Sequence, residues 1–275
     1  MSPARRVYYG WYVLAVAALG GALSAGSSQL MIGALLVPIT ASTGWSHAVV
    51  SGGLLLGTVS AGLVSPWAGA VQDRHGARVL TAAAAGVMAA GYLLIGLGAG
   101  VLAFYAGYML ARGAAQGVLG GGAQRAIAVR WFVRQRGRAI GIVSMSVPLG
   151  SAALALCAQW ALAHGYGWRA VFAGMGVLTL AVLVIPALVV LRPSPEAMGL
   201  EPDGDAPVPA GSPARRPDPV WAFTDAVRTP ALRLIFAGSA LAVAANGSLV
   251  FYQVTFLLDR GVGGGTAVGA ASVLA

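Results

Sequence analysis

Gly69-Ala70-Val71-Gln72-Asp73-Arg74-His75-Gly76-Ala77-Arg78 is a charged turn that joins two long apolar stretches, Ala48–Ala70 and Val79–Gly98. Each stretch is long enough to cross a bilayer, which takes about 20 mostly apolar residues. The pattern GxxxDRxGxR has parts suited to such a reversal. Gly76 allows a tight turn, and Gly69 lets neighbouring helices approach closely. Asp73, at a membrane boundary, can pair with an arginine or cap a helix N-terminus. A lone Asp-Arg pair would read as a solvated turn. The whole pattern, at the second turn of a six-span block, favours a functional reading.

Outward from this turn, further spans are expected at Gly10–Pro38, Val101–Val129, Ala139–Ala163, Trp168–Leu191 and Leu232–Leu258. An eighth apolar run starts near Thr266 and reaches Ala275, about half a bilayer at about 1.5 Å per residue. The chain is therefore expected to end inside a helix. Of the 275 residues, 58% are hydrophobic and 9% charged, against about 25% charged in soluble domains. That deficit cannot cover a water-facing surface, so the bilayer is the expected solvent. A signal peptide does not account for it, because apolar runs recur along the whole chain. The single cysteine, Cys157, excludes an internal disulfide and any multi-cysteine metal site.

The net charge of +9 raises the question of nucleic acid, and the placement of the charges answers it. With the N-terminus in the cytoplasm, thirteen arginines fall on the inside, among them Arg5, Arg6, Arg74, Arg78, Arg130 and Arg134. Only Arg169 and Arg260 fall outside. This is a positive-inside distribution, and it explains the basic chain without a nucleic-acid partner. Aromatic residues cluster at both sets of span ends. Tyr8, Tyr9, Trp11, Tyr12, Trp67, Trp131 and Phe132 lie at the inner ends, and Trp45, Phe104, Tyr105, Trp160 and Trp168 at the outer ends, as interfacial belts would. The expected protein is a multi-pass protein of the cell (plasma or inner) membrane.

Between Arg192 and Thr229 the chain turns polar and Pro-rich. It reads as a cytoplasmic linker with little packed structure. The organisation expected is a six-helix bundle over residues 1–191, a linker over 192–229, and an incomplete second bundle over 230–275. The fold class is all-α: a polytopic membrane helical bundle.

Polar residues inside the spans are the candidate binding groups. Arg112 lies near the middle of the fourth span, where a charge costs several kcal/mol and marks function. It reads as an anion-binding or coupling group, or else as a structural arginine bonded to backbone carbonyls or a carboxylate. Gln116 is one turn on and shares its face. Arg125 is 13 residues from Arg112, about 220° around a straight helix, so the two point apart. Arg125 lies close enough to the inner boundary to snorkel into the headgroups. Ser239, Asn246 and Gln253 recur every seven residues and form one polar stripe, either lining a cavity or bonding neighbouring helices. No Asp or Glu lies within the core of any complete span, and His47, His75 and His164 lie at span ends or in loops. Gly113, Gly117 and Gly121 suit close packing of the fourth helix. Pro66, Pro148 and Pro186 lie inside spans, where each can kink its helix. Paired carboxylates, metal-spaced histidines and Ser/His/Asp arrangements are missing from the spans, so no enzyme and no cofactor are expected.

With these motifs in place the sequence resembles the major facilitator superfamily. In that family the turn at Gly69, Asp73, Arg74, Gly76 and Arg78 is a conformational latch. Arg112-Gly-Ala-Ala-Gln116-Gly117 is similar to its fourth-span arginine motif, and Gly141 to Pro148-Leu149-Gly150 to its glycine-proline motif, with Pro148 and Gly150 bending the fifth helix. The resemblance implies two bundles rocking around a midplane site. Tyr9-Gly10-Trp11-Tyr12, Thr43-Gly44-Trp45-Ser46 and Arg130-Trp131-Phe132 look like the monocarboxylate and oxalate/formate branch. That branch implies a small organic anion as substrate, held by Arg112 and Gln116 with Asn246 and Gln253, and a proton or a counter-anion as coupling ion. Efflux of an uncharged or cationic solute is the alternative within the family. A truncated, non-transporting scaffold is the alternative of another class.

Overall fold

The computed structural model describes residues 8–120, 122–204, 223–242 and 245. The chain forms two compact units, Met1–Pro209 and Ala210–Ala275, and the division falls within the expected linker. The described part of the second unit holds α9 (Phe223–Arg228) and the apolar helix α10 (Pro230–Ala242). Among the described residues there is no strand, and the protein is all-α.

The first unit is a helical bundle built from α1 (Gly10–Ser24), α2 (Gln29–Thr43), α3 (His47–Leu97), α4 (Gly100–Ala114), α5 (Gly122–Trp131), α6 (Arg136–Ala163), α7 (Trp168–Thr179) and α8 (Ile185–Val190). Four of its helical stretches are long and apolar enough to cross a membrane: Gly10–Thr43, His47–Leu97, Arg136–Ala163 and Trp168–Val190. The 51 residues of α3 are too long for one crossing of about 30 Å of hydrocarbon. Its backbone leaves helical geometry at Gly76, where φ is 80° and ψ 164°, a region that side-chain-bearing residues avoid. The two limbs of α3 are the second and third spans. The fourth span is α4 and α5, interrupted by a π-helical turn at Ala115–Leu119. Six crossings are thus present among the described residues of the first unit.

The first span is not the single helix Gly10–Pro38 that its hydropathy suggests. It runs on to Thr43 and breaks at a 3-10 turn, Ala25–Ser27. Pro38 does not end it, because the carbonyl that Pro38 cannot bond, on Ala34, accepts from Gln159 Nε2 of α6 at 3.4 Å.

Small residues set the spacing between helices. A Cβ on Gly107 would stand 2.7 Å from the Gly91 carbonyl oxygen, and one on Gly117 3.1 Å from that of Ala61. The fourth span is therefore wedged between the two limbs of α3, with Gly113 against Ser60 on the same side as Gly117. Gly121 lies outside the described residues.

The aromatic clusters differ from simple interfacial belts. Tyr12, Trp67 and Trp160 are exposed, but Trp131, Phe132, Phe104 and Trp168 are buried. At the arginine-rich end Tyr8 meets Trp131 and Phe132, and Tyr9 Oη donates to the Val190 carbonyl at 2.8 Å. At the opposite end Trp45, Phe104 and Trp168 pack together, and Trp168 Nε1 donates to Ser42 Oγ at 2.7 Å. These rings tie helix ends to one another, burying large apolar faces; Tyr8, Tyr9 and Trp168 find partners for their polar tips, while Trp131 Nε1 is buried with no hydrogen-bond partner among the described residues.

Candidate functional site

The first-span break has a local cause that bears directly on Arg112. Residues 24–28 read Ser-Ala-Gly-Ser-Ser, small and polar inside an apolar span. Their hydroxyls bond the local backbone: Ser24 Oγ donates to Gly21 O at 2.6 Å, and Ser27 Oγ to Ser24 O at 3.1 Å. Ser28 is extended (ψ 165°) and caps α2, accepting from Met31 N at 3.3 Å. In an unbroken helix that N–H would bond the Ser27 carbonyl. Ser28 takes its place, and the Ser27 carbonyl turns toward the fourth span.

Arg112 meets it there. Its Nη1 donates to the Ser27 carbonyl, and its Nε to Thr58 Oγ1 at 3.1 Å. Tyr108 Oη donates to the same Ser27 oxygen at 2.8 Å. Gly57 makes room for the stem, since a Cβ there would lie 2.9 Å from Arg112 Cδ and 2.8 Å from Tyr108 Cδ1. Arg112 is 8% exposed, and no carboxylate among the described residues pairs with it. A carbonyl and a hydroxyl satisfy N–H donors but leave the charge uncompensated, an expensive state inside a bilayer.

Gln116 lies in the π-helical turn, half-buried, on the side of Gly120 and Ser24. Arg125 is exposed, so it and Arg112 share no site. Asn246 and Gln253 lie outside the described residues, and Ser239, the first residue of their stripe, is exposed on α10. Sequence reasoning missed Ser27, Ser28, Gly57 and Thr58. The run of small polar residues at 24–28 was the available signal.

At the arginine-rich end, Asp73 Oδ1 lies 3.6 Å from Arg130 Nη2, with side chains 75% and 45% exposed respectively. The partner of Asp73 is thus an arginine from the end of the fourth span, while Arg74 and Arg78 are exposed. Gly69, Gln72, Asp73, Gly117, Ala123 and Arg130 line a cleft of about 230 Å³ between the second and fourth spans. No described residue comes within 4 Å of a Cβ built on Gly69. Gln72 Nε2 donates to the Ala123 carbonyl at 3.3 Å and ties the two spans at the cleft wall.

The sequence profile of the Major Facilitator Superfamily matches residues 17–275. The chain belongs to the Major Facilitator Superfamily. It is a multi-pass membrane protein of a transporter family that handles small-molecule substrates. No curated protein sequence matches it.

In this superfamily member Pro148 and Gly150 lie inside α6, which is helical without interruption from Arg136 to Ala163. Gly150 faces α1 at close range: a Cβ there would enter the Ala22 backbone. Ser151, its neighbour, places Oγ 3.2 Å from Ser28 Oγ. The fifth span therefore abuts the break in the first, beside the carbonyl that holds Arg112. Among the described residues no group of three His, Cys, Asp or Glu side chains could hold a metal.

Proposed function

We propose that this protein is a secondary carrier of a small, monocarboxylate-like organic anion, working by alternating access across the cell membrane with its arginine-rich end in the cytoplasm. The observation that carries the reading is the buried guanidinium of Arg112, held by a carbonyl and a hydroxyl, with no carboxylate partner among the described residues. A substrate carboxylate would supply the missing charge and accept a forked pair of N–H bonds. Gln116 extends the site along the fourth span, and Asn246 and Gln253 would complete it from the seventh. Asp73, Arg74 and Arg78 form the latch of the inward-closed state, and the contact of Asp73 with Arg130 supports this role. Pro148 and Gly150 are the point at which the fifth span flexes against the first.

The coupling ion is a proton or a counter-anion. The absence of buried carboxylates among the described span residues favours exchange against an anion.

Counterflow in proteoliposomes tests the reading. Labelled lactate or acetate should accumulate against a trans-loaded carboxylate and be competed by carboxylates but not by the matching neutral amides. Competition by hydrophobic cations in place of carboxylates would move the function to efflux. Dependence on an imposed proton gradient would replace the counter-anion by a proton.

A further inference from the structure

Helix α6 starts poorly by its own sequence. Its N-cap, Gln135, makes no side-chain cap bond, and no acid stands in its first turn. Arg136 and Arg138 are there instead, where the helix dipole favours anions. The N–H groups leading into it nevertheless have partners. Asp203 Oδ2 accepts from Val133 N at 2.9 Å and from Arg134 N at 2.7 Å, and Oδ1 accepts from Gln135 N at 3.1 Å. The α5–α6 loop that leads into α6 is therefore held from beyond the sixth span, by a segment that composition reads as unpacked linker.

That segment is ordered by its own bonds. Ser194 Oγ accepts from Ala197 N at 3.4 Å, and Leu200 N donates back to the Pro195 carbonyl at 3.0 Å. Gly199 closes the turn at φ 67°, Pro195 is buried, and Gly204 N donates to Glu201 O at 3.2 Å. Asp203 itself has φ 60°, the only positive φ of a non-glycine among the described residues. Such a conformation persists when surrounding contacts over-determine it. Gly204 lies against the Tyr8 ring, where a Cβ would stand 2.9 Å from Tyr8 Cδ2, and Tyr8 packs in turn on Trp131 and Phe132. The linker, the N-terminal segment and the α5–α6 loop meet at one corner. Burial alone would raise the Asp203 carboxyl, but its three backbone N–H donors outweigh that and hold it below the usual carboxylate range.

We propose that residues 193–204 are a strap of the six-span unit, pinned by Asp203, which fixes the start of α6 when docked and frees it when released. From the same corner α6 runs as one continuous helix to Ser151, beside the break in the first span. The strap is independent of what the protein carries, and transport plays no part in its test.

Amide hydrogen exchange on the full chain in detergent micelles reads the pin directly. In the Asp203→Ala variant the amides of Val133, Arg134 and Gln135 should exchange about tenfold faster or more, the scale of losing a hydrogen bond to a charged acceptor. Asp203→Asn, which keeps an acceptor oxygen and loses the charge, should fall between, and α7 should be unchanged in both. Tryptic cleavage after Arg134 and Arg136 should accelerate in the same order. Unchanged protection at 133–135 in Asp203→Ala overturns the proposal. So does loss of protection that spreads into α7, which would make Asp203 a residue of the global fold and not a local pin.

Discussion

Replacing Arg112 by alanine separates a binding charge from a structural one. The substitution removes two hydrogen bonds, to Ser27 O and Thr58 Oγ1. Neither acceptor is left stranded: the Ser27 carbonyl keeps Tyr108 Oη at 2.8 Å, and the Thr58 hydroxyl keeps its bond to Leu54 O at 2.8 Å. Two lost bonds from a charged donor cost about 1.5–3 kcal/mol each. Against this, removing an uncompensated buried charge recovers several kcal/mol of desolvation, by the logic that makes buried ionic groups neutral or costly to stability. The two effects oppose, so thermal stability in detergent should move by no more than about 2 kcal/mol in either direction. Substrate binding has no such compensation. A hydrogen bond from guanidinium to carboxylate contributes about 1.5–3 kcal/mol, so anion affinity should fall about 10- to 150-fold. Arg112→Lys keeps the charge but not the fork, and should lose less affinity than alanine. The assay is counterflow of a labelled carboxylate beside a thermal melt of the same preparation. An alanine variant with unchanged affinity refutes the reasoning. So does one that no longer folds, because it makes the arginine structural.

Three further outcomes follow from the same geometry. Gly57→Val should destabilise the protein by about 1–3 kcal/mol through overpacking and abolish counterflow, since its side chain would displace the Arg112 stem and the Tyr108 ring; a melt and an uptake assay check both. Asp73→Asn should leave the melting temperature nearly unchanged, because the pair with Arg130 is largely exposed and such pairs contribute about 1 kcal/mol or less, while the rate of counterflow drops if the turn is a latch. The stability difference between wild type and Asp203→Asn should hold steady above pH 3.8, the ordinary value for this carboxyl, and shrink as pH falls through its lower folded value. The sign follows from a depressed carboxylate: the folded state loses the contribution only once the group takes up a proton. Melts across acid pH read this, and a difference that grows on acidification would contradict it.

The pattern of spans was legible because bilayer thickness imposes a length on each apolar run, and that length is visible in one dimension. The turn at Gly76 was legible for a similar reason: a positive φ between two long helices leaves a glycine in the sequence. The Pro202-Asp203-Gly204 turn also carries a recognisable signature. Its destination does not, because the partners of Asp203 stand 68 to 70 residues away. The break in the first span was half-legible, in the serines at 24, 27 and 28, but hydropathy averages over five residues of this kind.

The all-α class, the apolar spans, the abundance of arginine around the turns at one end and the placement of Arg112 inside the fourth span were all readable from the residues alone. These depend on composition and on distance along the chain. Which groups Arg112 touches, that no described carboxylate neutralises it, that Asp73 meets Arg130, and that Asp203 holds the loop before the fifth span became visible only in three dimensions. Those facts turn on how each helix is rotated about its axis. In water, rotation is written as an apolar stripe on a polar helix. In a bilayer both the lipid face and the packed face are apolar, so the periodicity falls silent, and rotation is settled by the fit of small residues such as Gly107, Gly117 and Gly150 against the helices they meet.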